Sequence, residues 1–382
     1  MPQHSETILQ HLGEEEHILG AVVPPIFQNS LFVQESCDAW IAALEGQAMD
    51  HYVYSRVSNP TLSVLEKKIA FLEGAEACKV FGSGMGAISA AIFSTVQAGS
   101  HVVCVDTVYG PTRSLLESYL TKFQVQTTFV DGRSTEAIFD AVRPETTLIY
   151  LESPSSILFQ IQDLARVGSF ARERGISTII DNTYSAGLLQ RPHEHGIDLV
   201  CHTGSKYFGG HSDLIAGVIT GSAERLKVLG PKEYELMGGA LAPFVAWLML
   251  RGLRTLSLRL QRHGQTATRV APWLEAHPQV ERVWFPGLDS FPQKDLADRQ
   301  LSGVGGLITF QPRVQDVEHI KAIADRCQLF QRGVSWGGFE SLIVPIPMQN
   351  AEMPEKTWLI RIFCGLEHPE DMIADLEQAL QI

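Results

Sequence analysis

Thr178-Ile179-Ile180-Asp181-Asn182-Thr183 is the stretch that decides the fold. A short apolar run without polar alternation reads as a strand buried on both faces of a sheet. It belongs to a series: His101–Asp106, Thr147–Glu152 and Val218–Gly221 are similar runs, separated by helix-length segments. Apolar strands alternating with helices predict a mostly parallel sheet covered on both faces. Working outward, Ala77–Phe81 reads as another strand. Thr61 to Gly74 reads as a helix, with Pro60 before it, Leu62, Leu65, Ile69 and Leu72 on one face, and Gly74 as its C-cap. The stretch to about Ser55 reads as an extended arm containing Pro24 and Pro25, and Leu241 to about Trp273 as one long helix. After Gln279, strands at Val280–Phe285, Leu307–Phe310 and Leu359–Phe363, with helices near Val317–Cys327 and Pro369–Leu380, predict a smaller α+β domain. The expected division is an arm over 1–55, an α/β domain over 56–250 and a C-terminal α+β domain over 251–382.

The chain has 382 residues, enough for two domains at roughly 100–200 residues each. With 45% hydrophobic and 19% charged residues it reads as soluble and globular. The net charge of −13 argues against a nucleic-acid or anionic-membrane partner, which would need clustered Lys and Arg. No apolar run approaches the roughly 18 residues of a membrane span. Met1 to Glu16 is polar and acidic, unlike a signal peptide. Cys37, Cys78, Cys104, Cys201, Cys327 and Cys364 form no C-x-x-C pair, so buried reduced thiols of a cytoplasmic protein are expected, and no metal site.

Three segments carry chemistry. Gly82-Ser83-Gly84-Met85-Gly86-Ala87 follows a strand and precedes an Ala-rich helix. It fits G-x-G-x-x-A, and Asp106 ends the next strand where a ribose-binding acid would sit, so a dinucleotide site is one reading. A tight strand–helix turn without a ligand is another. Both rest on a glycine turn that aims backbone N–H groups at a phosphate. Asp181 ends an apolar strand at the edge where open α/β sheets bind ligands. A buried carboxylate needs a cation, and a protonated pyridine nitrogen is one; a strand-end capping Asp is the plainer alternative. Lys206, in His202-Thr203-Gly204-Ser205-Lys206-Tyr207-Phe208-Gly209-Gly210-His211, follows a strand in apolar, hydroxyl-rich surroundings. An isolated lysine is ordinarily a snorkelling surface cation. With Asp181 at a preceding strand end, a desolvated, nucleophilic amine becomes the better reading.

With these segments in place, the chain strongly resembles the Cys/Met-metabolism family of pyridoxal-phosphate enzymes from about Ala21 to its C-terminus. The motifs occur in order: Tyr54-Ser55-Arg56 with Asn59-Pro60-Thr61, Ser83-Gly84-Met85, Asp106 with Tyr109-Gly110, Glu152-Ser153-Pro154, Asp181-Asn182-Thr183, Ser205-Lys206-Tyr207, Gly210-His211-Ser212-Asp213, Ser335-Trp336-Gly337-Gly338 with Glu340-Ser341-Leu342, and Gly365-Leu366-Glu367. The resemblance implies a fold-type I architecture, with a mostly parallel seven-stranded sheet domain and a smaller C-terminal α+β domain. It implies that Lys206 binds the cofactor covalently and moves protons, with Tyr109 and Tyr54 as further catalytic groups. Asp181 would pair with the ring nitrogen and Tyr109 would stack on the ring. Gly84, Met85, Thr203 and Ser205 would hold the phosphate, joined by Tyr54 and Arg56 from a neighbouring subunit of a homo-oligomer, a dimer of dimers in this family. Ser156 would meet the phenolic oxygen, where most members have Asn. Arg361 would hold the substrate carboxylate with Ser335, and Trp336 would line the same pocket.

Ser156, Pro111 after Tyr109-Gly110, and Trp336 look most like the bacterial cystathionine β-lyase branch. Val334 stands where γ-acting members usually carry Glu, and Met348-Gln349-Asn350 stands where the family often reads Met-Thr-His. The expected function is a C–S β-lyase on cystathionine or a related cysteine thioether. γ-Elimination or γ-replacement is the alternative within the family, and a nicotinamide oxidoreductase the rival outside it.

Overall fold

The computed structural model of the chain describes residues 4–44 and 52–381. The arm expected over 1–55 includes residues 1–3 and 45–51, which lie outside the described residues, and it is not extended throughout, since Ser5–His11 and Cys37–Leu44 are helical. The first sheet contains β1 (Ala77–Phe81), β2 (His101–Val105), β3 (Gln126–Val130), β4 (Thr146–Glu152), β5 (Ser177–Asp181), β6 (Leu199–Thr203) and β7 (Gly217–Gly221), in the order β1-β7-β6-β5-β4-β2-β3. β3, β2, β4, β5 and β6 pair in parallel. β7 is antiparallel to both β1 and β6. Its connection explains this. Gly204 to Ala216 returns from β6 through turns alone, and a parallel return needs a longer crossover, usually helical.

β2 and β7 are buried throughout, as their apolar runs require. β3 escaped pattern reading because Gln126-Thr127-Thr128 is polar; it lies at the sheet's edge and is only partly buried. The helix Pro60–Glu73 has Asn59 as N-cap, accepting from Thr61 N at 2.9 Å, and Gly74 as its left-handed C-cap at φ 67°.

The second sheet contains β8 (Val280–Trp284), β9 (Leu307–Pro312), β10 (Gln331–Arg332), β11 (Leu342–Met348) and β12 (Thr357–Phe363), in the order β10-β11-β12-β9-β8. β11 was hidden by Pro345 and Pro347. β10 pairs only with Leu342 and Ile343, so both prolines fall where β11 has an open edge, the place a sheet tolerates them. Of the six cysteines Cys37 is exposed, the other five are buried, and all are free. Among the described residues no helix is long and apolar enough to cross a membrane.

The single long helix expected over Leu241–Trp273 is two, Pro243–Leu253 and Leu256–Ala276. The break has a visible cause. Arg259 Nη2 donates to the Gly252 carbonyl at 2.8 Å and to the Tyr207 carbonyl at 2.9 Å. Gly252 itself lies against the lysine loop, where a Cβ would stand 2.3 Å from the Phe208 carbonyl oxygen. Two terms then compete in Gly252→Ala: helix propensity favours Ala by about 1 kcal/mol, while overpacking costs about 1–3 kcal/mol. The clash is with backbone, which yields little, so the variant is expected to melt at a lower temperature. A thermal scan showing a raised midpoint would contradict this packing.

Candidate active site

The carboxyl ends of β4, β5 and β6 bring Glu152, Asp181 and Thr203 to one edge of the first sheet, with Glu152 and Asp181 paired in register. There a cavity of about 170 Å³ opens. The turns after β5 and β6 add Thr183 and Lys206, the turn after β4 supplies Ser156, and Tyr109 lines one side. Val334, Trp336 and Arg361 reach it from the second sheet's side of the molecule.

Asp181 is buried, and its Oδ1 accepts from Thr183 N at 3.0 Å and from Thr183 Oγ1 at 2.5 Å. No donor among the described residues reaches Oδ2. Burial raises its pKa, opposed in part by the Thr183 bonds and by nearby His202 and Lys206. Such an acid keeps its charge only beside a cation.

Lys206 Nζ donates to Ser335 Oγ at 2.6 Å and lies 5.6 Å from the centroid of the Trp336 ring. Burial, and then the charge of Arg361, lower its pKa to about 8. The amine is thus far more often neutral near physiological pH than a surface lysine.

Arg361 comes from β12 and is also buried; loss of water pushes its pKa down to about 10. Its Nη1 donates to the Ser156 carbonyl at 3.1 Å and its Nη2 to the Val334 carbonyl. Among the described residues it has no carboxylate partner, so the guanidinium keeps its preference for a planar anion.

The helix Gly84–Phe93 begins beside Thr203. Ser83 Oγ caps it, accepting from Gly86 N at 3.0 Å, and among the described residues the N–H groups of Gly84 and Met85 have no acceptor. A Cβ on residue 84 would stand 2.3 Å from Thr203 Oγ1, so only glycine lets the helix end meet that hydroxyl. Ser205 is differently engaged: its Oγ accepts from Ala216 N at 3.0 Å.

Two contributors went unassigned in the sequence. Glu152 is buried, and its carboxylate accepts from Tyr109 N at 2.6 Å and from Ser156 N at 2.8 Å, so it fastens both cavity walls. Burial, and then the neighbouring Asp181, raise its pKa to about 8. Its signal matched that of Asp181, an acid ending an apolar strand. Thr183 is the other, through its bonds to Asp181. Tyr54 and Arg56 lie away from the cavity lining. Both are exposed, and Arg56 Nη1 donates to the Glu235 carbonyl at 3.2 Å.

The arrangement fits pyridoxal phosphate at three points. Leftover N–H groups and the Thr203 hydroxyl suit its phosphate, Asp181 suits its ring nitrogen, and Lys206 suits its aldehyde.

Comparison with known proteins agrees with this fit. A family model for Cys/Met metabolism PLP-dependent enzymes matches residues 6–381. The chain is 38% identical over 383 residues to the L-methionine gamma-lyase of Porphyromonas gingivalis, covering 97% of this chain and 95% of that one. It is 37% identical over 393 residues to the cystathionine beta-lyase of Coxiella burnetii, covering 99% and 98%. A Campylobacter jejuni protein solved with N'-pyridoxyl-lysine-5'-monophosphate superposes with a TM-score of 0.92 at 27% identity, covering 100% of both chains.

The lysine's lowered pKa gives a pH dependence with a definite sign. Only the neutral amine attacks an aldehyde, and the folded-state pKa is about 8. When apoprotein is mixed with pyridoxal phosphate and trapped with borohydride, the initial rate should rise about tenfold per pH unit below that value and level off above it. A rate still climbing steadily beyond pH 10 would contradict a desolvated amine.

Proposed function

Because the chain belongs to the Cys/Met-metabolism family of pyridoxal-phosphate-dependent enzymes, we propose that it is a carbon–sulfur lyase acting at the β-carbon of cystathionine or a related cysteine thioether. The products are a thiol, pyruvate and ammonia. The observation that carries this reading is the Lys206 amine, half-neutral near pH 8, held on Ser335 beside Trp336 with Arg361 across the same cavity.

The residues divide the work. Gly84 and Met85 N–H groups, with Thr203, would hold the phosphate, while Ser205, expected there, keeps its hydroxyl on the Ala216 backbone; this assigns the Gly82–Ala87 turn to that group rather than to a dinucleotide. Asp181 would keep the proton on the ring nitrogen, Tyr109 would cover the ring face, and Ser156 would meet the phenolic oxygen. Bound pyridoxal phosphate supplies an electron sink for the pair left at the substrate's α-carbon. Arg361 takes the α-carboxylate with two parallel bonds, Ser335 assists, and Lys206 removes the α-proton. The thiolate then leaves from the β-carbon, and water completes the release of pyruvate and ammonia. Uncharged Val334 and buried Trp336 in the cavity wall favour the β-position. The γ-reading is favoured by the likeness to a methionine gamma-lyase. Fed with cystathionine, the enzyme should release pyruvate; 2-oxobutyrate instead would mark γ-cleavage and overturn the β assignment. Lys206→Ala should cut kcat by at least about 10²–10⁴-fold while cofactor still binds.

The exposed placement of Tyr54 and Arg56 supports a homo-oligomer, at least a dimer and by family expectation a dimer of dimers, in which both residues complete a neighbour's site. We place it in the cytoplasm, with a small amino-acid substrate and no nucleic-acid or membrane partner. We divide it as arm 1–55, cofactor domain 56–250 and C-terminal domain 251–382. Hybrids test the shared site. Arg56→Ala and Lys206→Ala proteins, each nearly inactive, should regain activity when unfolded together and refolded, because a mixed dimer holds one intact site. No recovery in confirmed hybrids would place Arg56 in its own subunit's chemistry or none.

A further inference from the structure

Met348-Gln349-Asn350 departs from the family's pattern close to the strand that carries Arg361, and the loop that follows holds a buried carboxylate. Glu352 lies between β11 and β12, with its side chain only 6% exposed. Two hydrogen-bond donors and two guanidinium groups, from three segments of the chain, converge on it. Gln160 Nε2 donates at 2.9 Å and Trp284 Nε1 at 3.1 Å, and Arg282 and Arg133 stand at 3.1 and 3.5 Å. The local backbone is pinned in support: Asn350 Oδ1 accepts from the N–H groups of Glu352 and Met353 at 3.1 and 2.9 Å. Met353 is buried behind it.

The contact that matters is Gln160. Its side-chain amide is held at both ends, since Oε1 accepts from Thr107 Oγ1 at 3.3 Å while Nε2 reaches Glu352. Its backbone closes a turn with Ser155: Ser155 N donates to the Gln160 carbonyl at 3.0 Å, and Gln160 N to Ser155 Oγ at 3.1 Å. Ser156 sits inside that turn and offers its carbonyl to Arg361 Nη1 at 3.1 Å. The guanidinium has no carboxylate of its own among the described residues, so its aim depends on two carbonyls, one of which this turn supplies.

We propose that Glu352 is a positioning residue for the substrate's carboxylate: by fastening Gln160 it fixes the turn whose Ser156 carbonyl holds Arg361 in register. The proposal rests on the reading of Arg361 as the carboxylate ligand. Glu352 touches neither substrate nor cofactor, so its loss moves binding more than chemistry. Side chains that act through a packed network change coupling by amounts equivalent to roughly 2- to 30-fold.

The test is steady-state kinetics of holoenzyme variants with cystathionine, beside their cofactor absorbance and thermal midpoints. Glu352→Gln should raise KM within that range, with kcat changed less than about twofold and the cofactor band intact; Glu352→Asp should recover part of the loss. Gln160→Leu breaks the same link from its other end and should raise KM alike, which decides the matter if Glu352→Gln fails to fold. Arg361→Lys should raise KM further, and adding Glu352→Gln to it should cost little more. If Arg361→Lys leaves KM unchanged, the carboxylate reading of Arg361 is what fails. If Arg361→Lys raises KM but Glu352→Gln and Gln160→Leu only lower the melting temperature, Glu352 is a structural clamp and the proposal is overturned. Full additivity in the double variant overturns it as well.

Discussion

Asp181 and Arg361 are buried and Lys206 is partly buried around one small cavity that Glu152 also lines, and among the described residues none of the three has an opposite charge within ion-pair distance. Burying an unpaired ion costs several kcal/mol even after relaxation. The protonation equilibria register that cost: the pKa values of Lys206 and Arg361 fall, that of Asp181 rises, and burial is the first cause each time. A fold gains nothing from this arrangement by itself. A ligand that brings a ring cation to Asp181 and a carboxylate to Arg361 removes the penalty on binding, which ties affinity to the same desolvation that disfavours the empty state.

The surroundings keep these charges from finding one another or water. Gly337, at φ 88°, lies so close to the lysine that a Cβ there would stand 2.8 Å from the Lys206 carbonyl carbon. This approach puts Ser335 in reach of the amine. The loop is held from behind, where Ser341 Oγ donates to Glu367 at 2.8 Å and accepts from Gly365 N at 2.9 Å. Below the lysine turn, buried Arg259 props the Tyr207 carbonyl and ends one helix in doing so. The break at Arg254–Thr255 and the seating of Lys206 thus share a cause.

The first sheet was legible because apolar strands buried on both faces leave continuous runs, and Asp181 was legible because it interrupts one. Lys206 needed its neighbours, since a lysine alone carries no sign of burial. What escaped reading depended on partners distant in sequence. β3 is polar because it is an edge. β11 keeps two prolines because β10 is short. The helix break follows from a guanidinium reaching 52 residues back to Tyr207. Glu152 is visible in its motif, but its role in holding Tyr109, 43 residues away in the chain, and Ser156 appears only in the folded structure. Ser205 turns to the Ala216 backbone because β7 returns antiparallel beside it. Tyr54 and Arg56 lie exposed and outside the cavity lining, so the role proposed for them is not visible in the packing of one chain.

The lysine's tether bears on which bond breaks. Cleavage at the β-carbon needs one proton removed, from the α-carbon; cleavage at the γ-carbon needs a second, from the β-carbon, so the base must serve two positions. Lys206 Nζ is drawn to Ser335 at 2.6 Å, and the Trp336 ring, itself buried, stands on the same side. Arg361, aimed by the Ser156 and Val334 carbonyls, would as the proposed carboxylate ligand fix where the α-carbon lies relative to that amine. A base confined at one end and a substrate confined at the other favour a single proton transfer over a travelling one. A bulky aromatic at 336 therefore narrows the amine's range, while the Ser156 carbonyl acts at the other end of the cavity, on Arg361.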